Sequence, residues 1–93
     1  MTVGILKVFL FIPDSNSLKA KRMVLNSLKA RLRKGFNVSV AEIDGEDKWQ
    51  KATLAVVGVG RDRNNLNRAL SDAVNYIERS SGVNLLDYEM EMI

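Results

Sequence analysis

The sequence contains no cysteine and no histidine, and only one proline among its 93 residues. Without cysteine there is no disulfide, thiolate metal site, iron–sulfur cluster or sulfur nucleophile. Without histidine the usual general base near neutral pH and the commonest metal ligand are both missing. Aromatic residues are sparse at 6%, with a single tryptophan. Long apolar runs are lacking too: Val3–Ile12 is interrupted by Lys7 and is too short for a membrane span or a signal peptide. These absences cut away most enzyme classes. They lead us to expect a cytoplasmic, non-enzymatic chain with no cofactor and no membrane partner.

What is present is ordinary for a folded domain, at 46% hydrophobic and 27% charged residues. A chain of this length buries roughly 60–65% of its unfolded surface, enough for one core and not two. The charge is less ordinary in its distribution. From Ser15 to Ala41 run seven cations (Lys19, Lys21, Arg22, Lys29, Arg31, Arg33, Lys34) and no acid, a segment charge of +7. Against a net charge of +3, the remainder of the chain therefore sums to −4. Acids gather at Glu42–Asp47 and at Asp87, Glu89 and Glu91. Such asymmetry can steer a polyanion to one surface where the net charge alone would barely act.

Hydrophobic periodicity divides the chain into six elements. Residues 2–12 read as a strand closed by the turn cluster Pro13-Asp14-Ser15-Asn16. Over 17–34 the period becomes helical: Leu18, Val24, Leu25, Leu28 and Leu32 share one arc, with Ser17 as N-cap and Gly35 as stop. Residues 36–43 and Trp49–Gly60 read as strands joined through a polar loop opened by Asp44-Gly45. A second helix is expected over Asn64–Ser80 on Leu66, Leu70, Ala73 and Ile77. The last strand alternates, with Leu86, Tyr88, Met90 and Met92 facing one way and Asp87, Glu89 and Glu91 the other. The order β-α-β-β-α-β predicts a single α+β domain over 1–93, a ferredoxin-like sandwich whose four-stranded antiparallel sheet carries both helices on one face.

That fold leaves the second sheet face uncovered, yet the two central strands are apolar on both faces. Val3, Ile5, Phe9 and Phe11 of the first strand and Val57 of the third are expected on the open side. Contiguous apolar faces are seldom left bare in monomers, so these residues are the candidate oligomer interface, most simply of a two-fold homodimer. Phe9 and Phe11 could instead stack nucleic-acid bases. The third strand offers only Thr53, Ala55, Val57 and Val59 beside them, which favours protein over bases. A small-ligand sensing role for the same face stays open.

On the first helix Lys19, Arg22, Lys29 and Arg33 form a stripe beside the leucine face, with no glutamate to relieve their mutual repulsion. Cations so aligned can follow a phosphate backbone without reading sequence; a merely solvated helix face is the competing account. Lys21 projects towards the apolar arc, either pairing with Glu42 as a buried ion pair or snorkelling to the helix end. Trp49 either closes one end of the core or presents its indole to a ligand.

Catalytic motifs are wanting. The first strand–helix loop, Pro13–Ser17, has neither the arginine nor the glycines with which acylphosphatases of this topology cradle phosphate. Gly58-Val59-Gly60 is too short for a dinucleotide fingerprint. Glu42, Asp44, Glu46 and Asp47 lack the order of a calcium loop.

Ser17-Leu18-Lys19-Ala20-Lys21-Arg22, Phe36-Asn37-Val38-Ser39-Val40-Ala41-Glu42 and Trp49-Gln50-Lys51-Ala52 together resemble the YlxP-like family of small bacterial proteins. The resemblance implies a ferredoxin-like fold and a bacterial cytoplasmic setting. Members are often encoded among translation and transcription factors, and some are labelled as similar to ribosome-binding factor A. It therefore implies RNA or a ribosomal subunit as partner. The positions it marks are Lys19, Lys21, Arg22, Glu42 and Trp49, and no activity comes with them. Lys19, Lys21, Arg22, Lys29 and Arg33 are accordingly the candidate nucleic-acid contacts.

Overall fold

The computed structural model describes residues 1–93. Its elements are β1 (Thr2–Phe11), α1 (Leu18–Gly35), β2 (Val38–Asp44), β3 (Lys51–Gly60), α2 (Arg63–Arg79) and β4 (Asn84–Met92). The strands form one antiparallel sheet in the order β2-β3-β1-β4, so the two doubly apolar strands are central as expected. The helix boundaries fall within a residue of those read from periodicity. Ser17 caps α1, its Oγ accepting from Ala20 N at 3.0 Å, and Asp62 caps α2 by accepting from Asn64 N and Asn65 N.

Alternation in β1 sends Leu6, Val8 and Leu10 under the helices, where they lie opposite Val56, Leu54 and Ala52 of β3. Leu25, Leu28 and Leu32 of α1 and Leu66, Leu70, Ala73, Val74 and Ile77 of α2 close over them in one core of 17 buried residues. Gly4 and Gly58 are cross-strand partners and together make a seat for α2. A Cβ at Gly4 would stand 2.5 Å from Leu70 Cδ1, and one at Gly58 would stand 3.0 Å from Leu66 Cδ1. The missing side chains let the helix lie close against the sheet.

The final strand departs from simple alternation. A bulge falls where Phe9 pairs with Asp87 but Leu10 pairs with Leu85, which makes Leu86 the extra residue. Leu85 therefore packs on the core, while Leu86 is 58% and Tyr88 47% exposed. Only Met90 and Met92 of the expected apolar set reach the core. The other edge strand, β2, is irregular at the same level: Glu42 pairs with Leu54 and Asp44 with Thr53, leaving Ile43 over.

Candidate functional site: the basic helix over an edge strand

Both helices cover the same sheet face, and α1 packs along β2, the end strand of the sheet. The helical positions 18, 22, 29 and 33 sit beside the buried arc of Leu25, Leu28 and Leu32, on the flank turned to that edge. Between this flank and β2 runs a cleft of about 440 Å³, lined by Leu18, Arg22, Lys29, Val40, Glu42 and Glu46, among others. Arg33 extends across to the strand and donates from Nη2 to Val40 O at 2.8 Å. A guanidinium over a backbone carbonyl of an end strand also discourages a second strand from pairing there. Arg33 thus serves the fold as well as the surface.

Lys21 corrects the expected set of contacts. It is only 2% exposed, and so is unavailable to any phosphate. Its ammonium has three protons and faces three oxygens: Glu42 Oε2 at 3.0 Å, Lys48 O at 2.8 Å and Gly45 O. Glu42 Oε2, itself buried, has no hydrogen-bond partner apart from this ion pair. Of the two readings offered for Lys21, the buried pair holds and snorkelling does not. The pair ties β2 to the first turn of α1, and the same ammonium fastens the β2–β3 loop through the carbonyls of Gly45 and Lys48. Gly45 makes that loop possible, since its φ of +86° would strain any residue with a side chain.

Trp49 does not close the core. It is 56% exposed in the loop before β3. Lys19, Arg22 and Arg33 are exposed and Lys29 half-buried, and no carboxylate lies within ion-pairing distance of any of them. The chain's two ion pairs are Lys21–Glu42 and the cross-strand pair Lys7–Glu89 at 3.8 Å. Arg31, also in the basic segment, is engaged elsewhere: it lies over the Tyr76 ring at 5.8 Å and donates to its hydroxyl at 3.2 Å. Nothing in helical spacing distinguished Arg31 from the stripe except its angle, which turns it towards α2 instead of β2.

On the other side of the sheet, Val3, Ile5, Phe9, Phe11 and Val57 do share the face without helices, each half-buried. Lys7 stands among them, and Asp87, Glu89 and Glu91 of β4 border them opposite Phe9, Lys7 and Ile5. The loop acids do not form a cation site. Glu42 turns to Lys21, Asp44 accepts from Gly45 N, and no three acidic side chains converge. The buried Ser15 hydroxyl is spent on the turn, donating to Ser17 O at 3.0 Å. What the arrangement supplies is fixed positive charge and hydrogen-bond donors along one flank.

These features define a ferredoxin-like α+β sandwich with a basic helix along one sheet edge. The chain belongs to the family described as "Protein of unknown function (DUF503)", whose model matches residues 3–90. It is similar to the uncharacterized protein YlxP of Bacillus subtilis (strain 168), 32% identical over 76 residues that cover 82% of this chain and 83% of that one. Among solved structures it is similar to a mutant of SnoaB, a cofactor-independent oxygenase from Streptomyces nogalater. That likeness spans 99% of this chain and 90% of the other at 13% identity and a TM-score of 0.49, too low to carry an activity across. No helix is long and apolar enough to cross a membrane.

Proposed function

We propose that this protein is a non-enzymatic, cytoplasmic RNA- or ribosome-associated module that engages phosphate through Lys19, Arg22, Lys29 and Arg33 of α1. One observation carries the reading: Arg22, Lys29 and Arg33 flank a single sheet edge with Lys19 one step further round the helix, and none of the four has a carboxylate partner, although the chain has eleven acids to offer. A helix face built only for solubility would be cheaper with acids three or four residues away, by a few tenths of a kcal/mol per pair. The test is a filter-binding titration with ribosomal RNA fragments over a range of salt. Four phosphate contacts give a log–log slope of about −3.6 on duplex and about −2.8 on single strands. A dissociation constant weaker than about 100 μM at low salt, unchanged when the four cations become glutamate, overturns the proposal.

A second reading rests on the uncovered sheet face. Ile5, Phe9, Phe11 and Val57 lie half-buried there with no helix over them, and covering such a face is the ordinary role of a subunit or an apolar ligand. On this reading the protein is a homo-oligomeric interaction or small-ligand sensing module, with a two-fold dimer the simplest assembly.

A further inference from the structure

The exposed indole of Trp49 deepens the RNA proposal, and a role for it in binding stands only if that proposal does. We infer that Trp49 is a base-stacking platform, and that the nucleic acid suited to this surface is single-stranded. The indole is 56% exposed, more than any other aromatic side chain here, with Tyr88 next at 47%. An exposed tryptophan on a loose loop would mean little, but the residues on both sides of this one are tied down. Lys48 O accepts from the buried Lys21 ammonium at 2.8 Å. Gln50 O accepts from Ile12 N at 2.7 Å, and Gln50 Nε2 donates to Pro13 O at 2.9 Å. The ring is therefore offered from a braced position, and little conformational entropy is lost when a base settles on it.

Lys21 also places that ring relative to the cations. Its backbone lies in the first turn of α1, between Lys19 and Arg22, while its ammonium holds the loop next to Trp49. The backbone that carries this exposed ring is thus held beside the start of the basic stripe. Glu46 and Asp47, separated from Trp49 by Lys48, leave the loop with an excess of negative charge and make it a poorer seat for phosphate than for a base. A strand whose backbone tracks Arg22 and Lys29 along α1 would then reach the loop with a base and not with a phosphate. Duplex keeps its bases stacked on one another and cannot use such a platform; unpaired bases can.

The chain's single tryptophan makes its fluorescence an unambiguous reporter. The experiment titrates the full-length protein with a short oligouridylate and, separately, with a duplex of equal length, in the same buffer. The expected result is quenching of emission by the single strand only. Trp49→Ala should weaken single-strand affinity by about 5- to 150-fold, the range for one lost base stack, with duplex affinity unchanged. Trp49→Phe, which keeps an aromatic face, should recover most of the loss. If both RNAs bind with the emission unmoved and Trp49→Ala makes no difference, the stacking role is overturned while the basic-helix proposal survives. If neither RNA binds, both fall together. Because the side chain is exposed, the substitutions leave the core intact, and circular dichroism verifies this.

Discussion

The ammonium of Lys21 and the carboxylate of Glu42 lie 3.0 Å apart, with the lysine side chain 2% and the glutamate side chain 17% exposed. Removing one member of a buried pair leaves the other charged and without compensation. Lys21→Met keeps most of the apolar stem but strands Glu42 together with the carbonyls of Gly45 and Lys48. The expected cost is about 3–5 kcal/mol, towards the lower end because Glu42 retains some solvent. The double variant Lys21→Met/Glu42→Met should recover part of it. Urea denaturation of the two variants checks both statements, and equal midpoints for wild type and Lys21→Met would show that the pair does not hold the loop.

Glycine substitutions should separate close packing from helix propensity. Gly4→Ala places a methyl 2.5 Å from Leu70 Cδ1 and 3.2 Å from both Leu66 Cδ2 and Met92 Sδ, so the fully buried Leu70 must shift among side chains that are also crowded. We expect a loss of about 1–3 kcal/mol, the usual cost of overpacking. Gly35→Ala, in the last turn of α1, meets nothing within 4 Å and should stabilise by about 0.5–1 kcal/mol. Thermal melts of the two proteins should therefore shift in opposite directions.

The bare sheet face predicts a sedimentation result. Phe9 is half-buried between Asp87 and Thr53 on the neighbouring strands. If a second copy covers it, wild type sediments as a dimer and Phe9→Asp as a monomer whose RNA affinity is unchanged. A wild type that remains monomeric at high micromolar concentration contradicts self-association through this face.

The fold is legible because two different periods alternate along the chain, and because Ser17, Asp44-Gly45 and Ser80-Ser81-Gly82 punctuate them. The bulge at Leu86 is not, since a run of alternating residues does not reveal where the partner strand skips one. Glu42 can be matched to Lys21 by face, but the carbonyls of Gly45 and Lys48 cannot. They depend on how the loop folds back, which no local pattern encodes. The exposure of Trp49 is hidden for the same reason. The loop's anchors lie in α1 and at the end of β1, far away in sequence, and they hold the ring outside the core. Lys21 shows the limit of counting charges: one of the seven cations in the basic segment belongs to the interior.

The most direct test holds net charge constant and varies only its place. One variant reverses Lys19, Arg22 and Lys29 to glutamate on α1. The other reverses Arg61, Arg63 and Arg79, exposed at the two ends of α2. Affinity for single-stranded RNA is then measured against salt for both and for wild type. The slope should collapse from about −2.8 to about −0.7 for the α1 variant, which retains Arg33 alone, and stay near the wild-type value for the α2 variant. Equal losses in the two variants, or none in either, would contradict the claim that the flank of α1 is a binding surface.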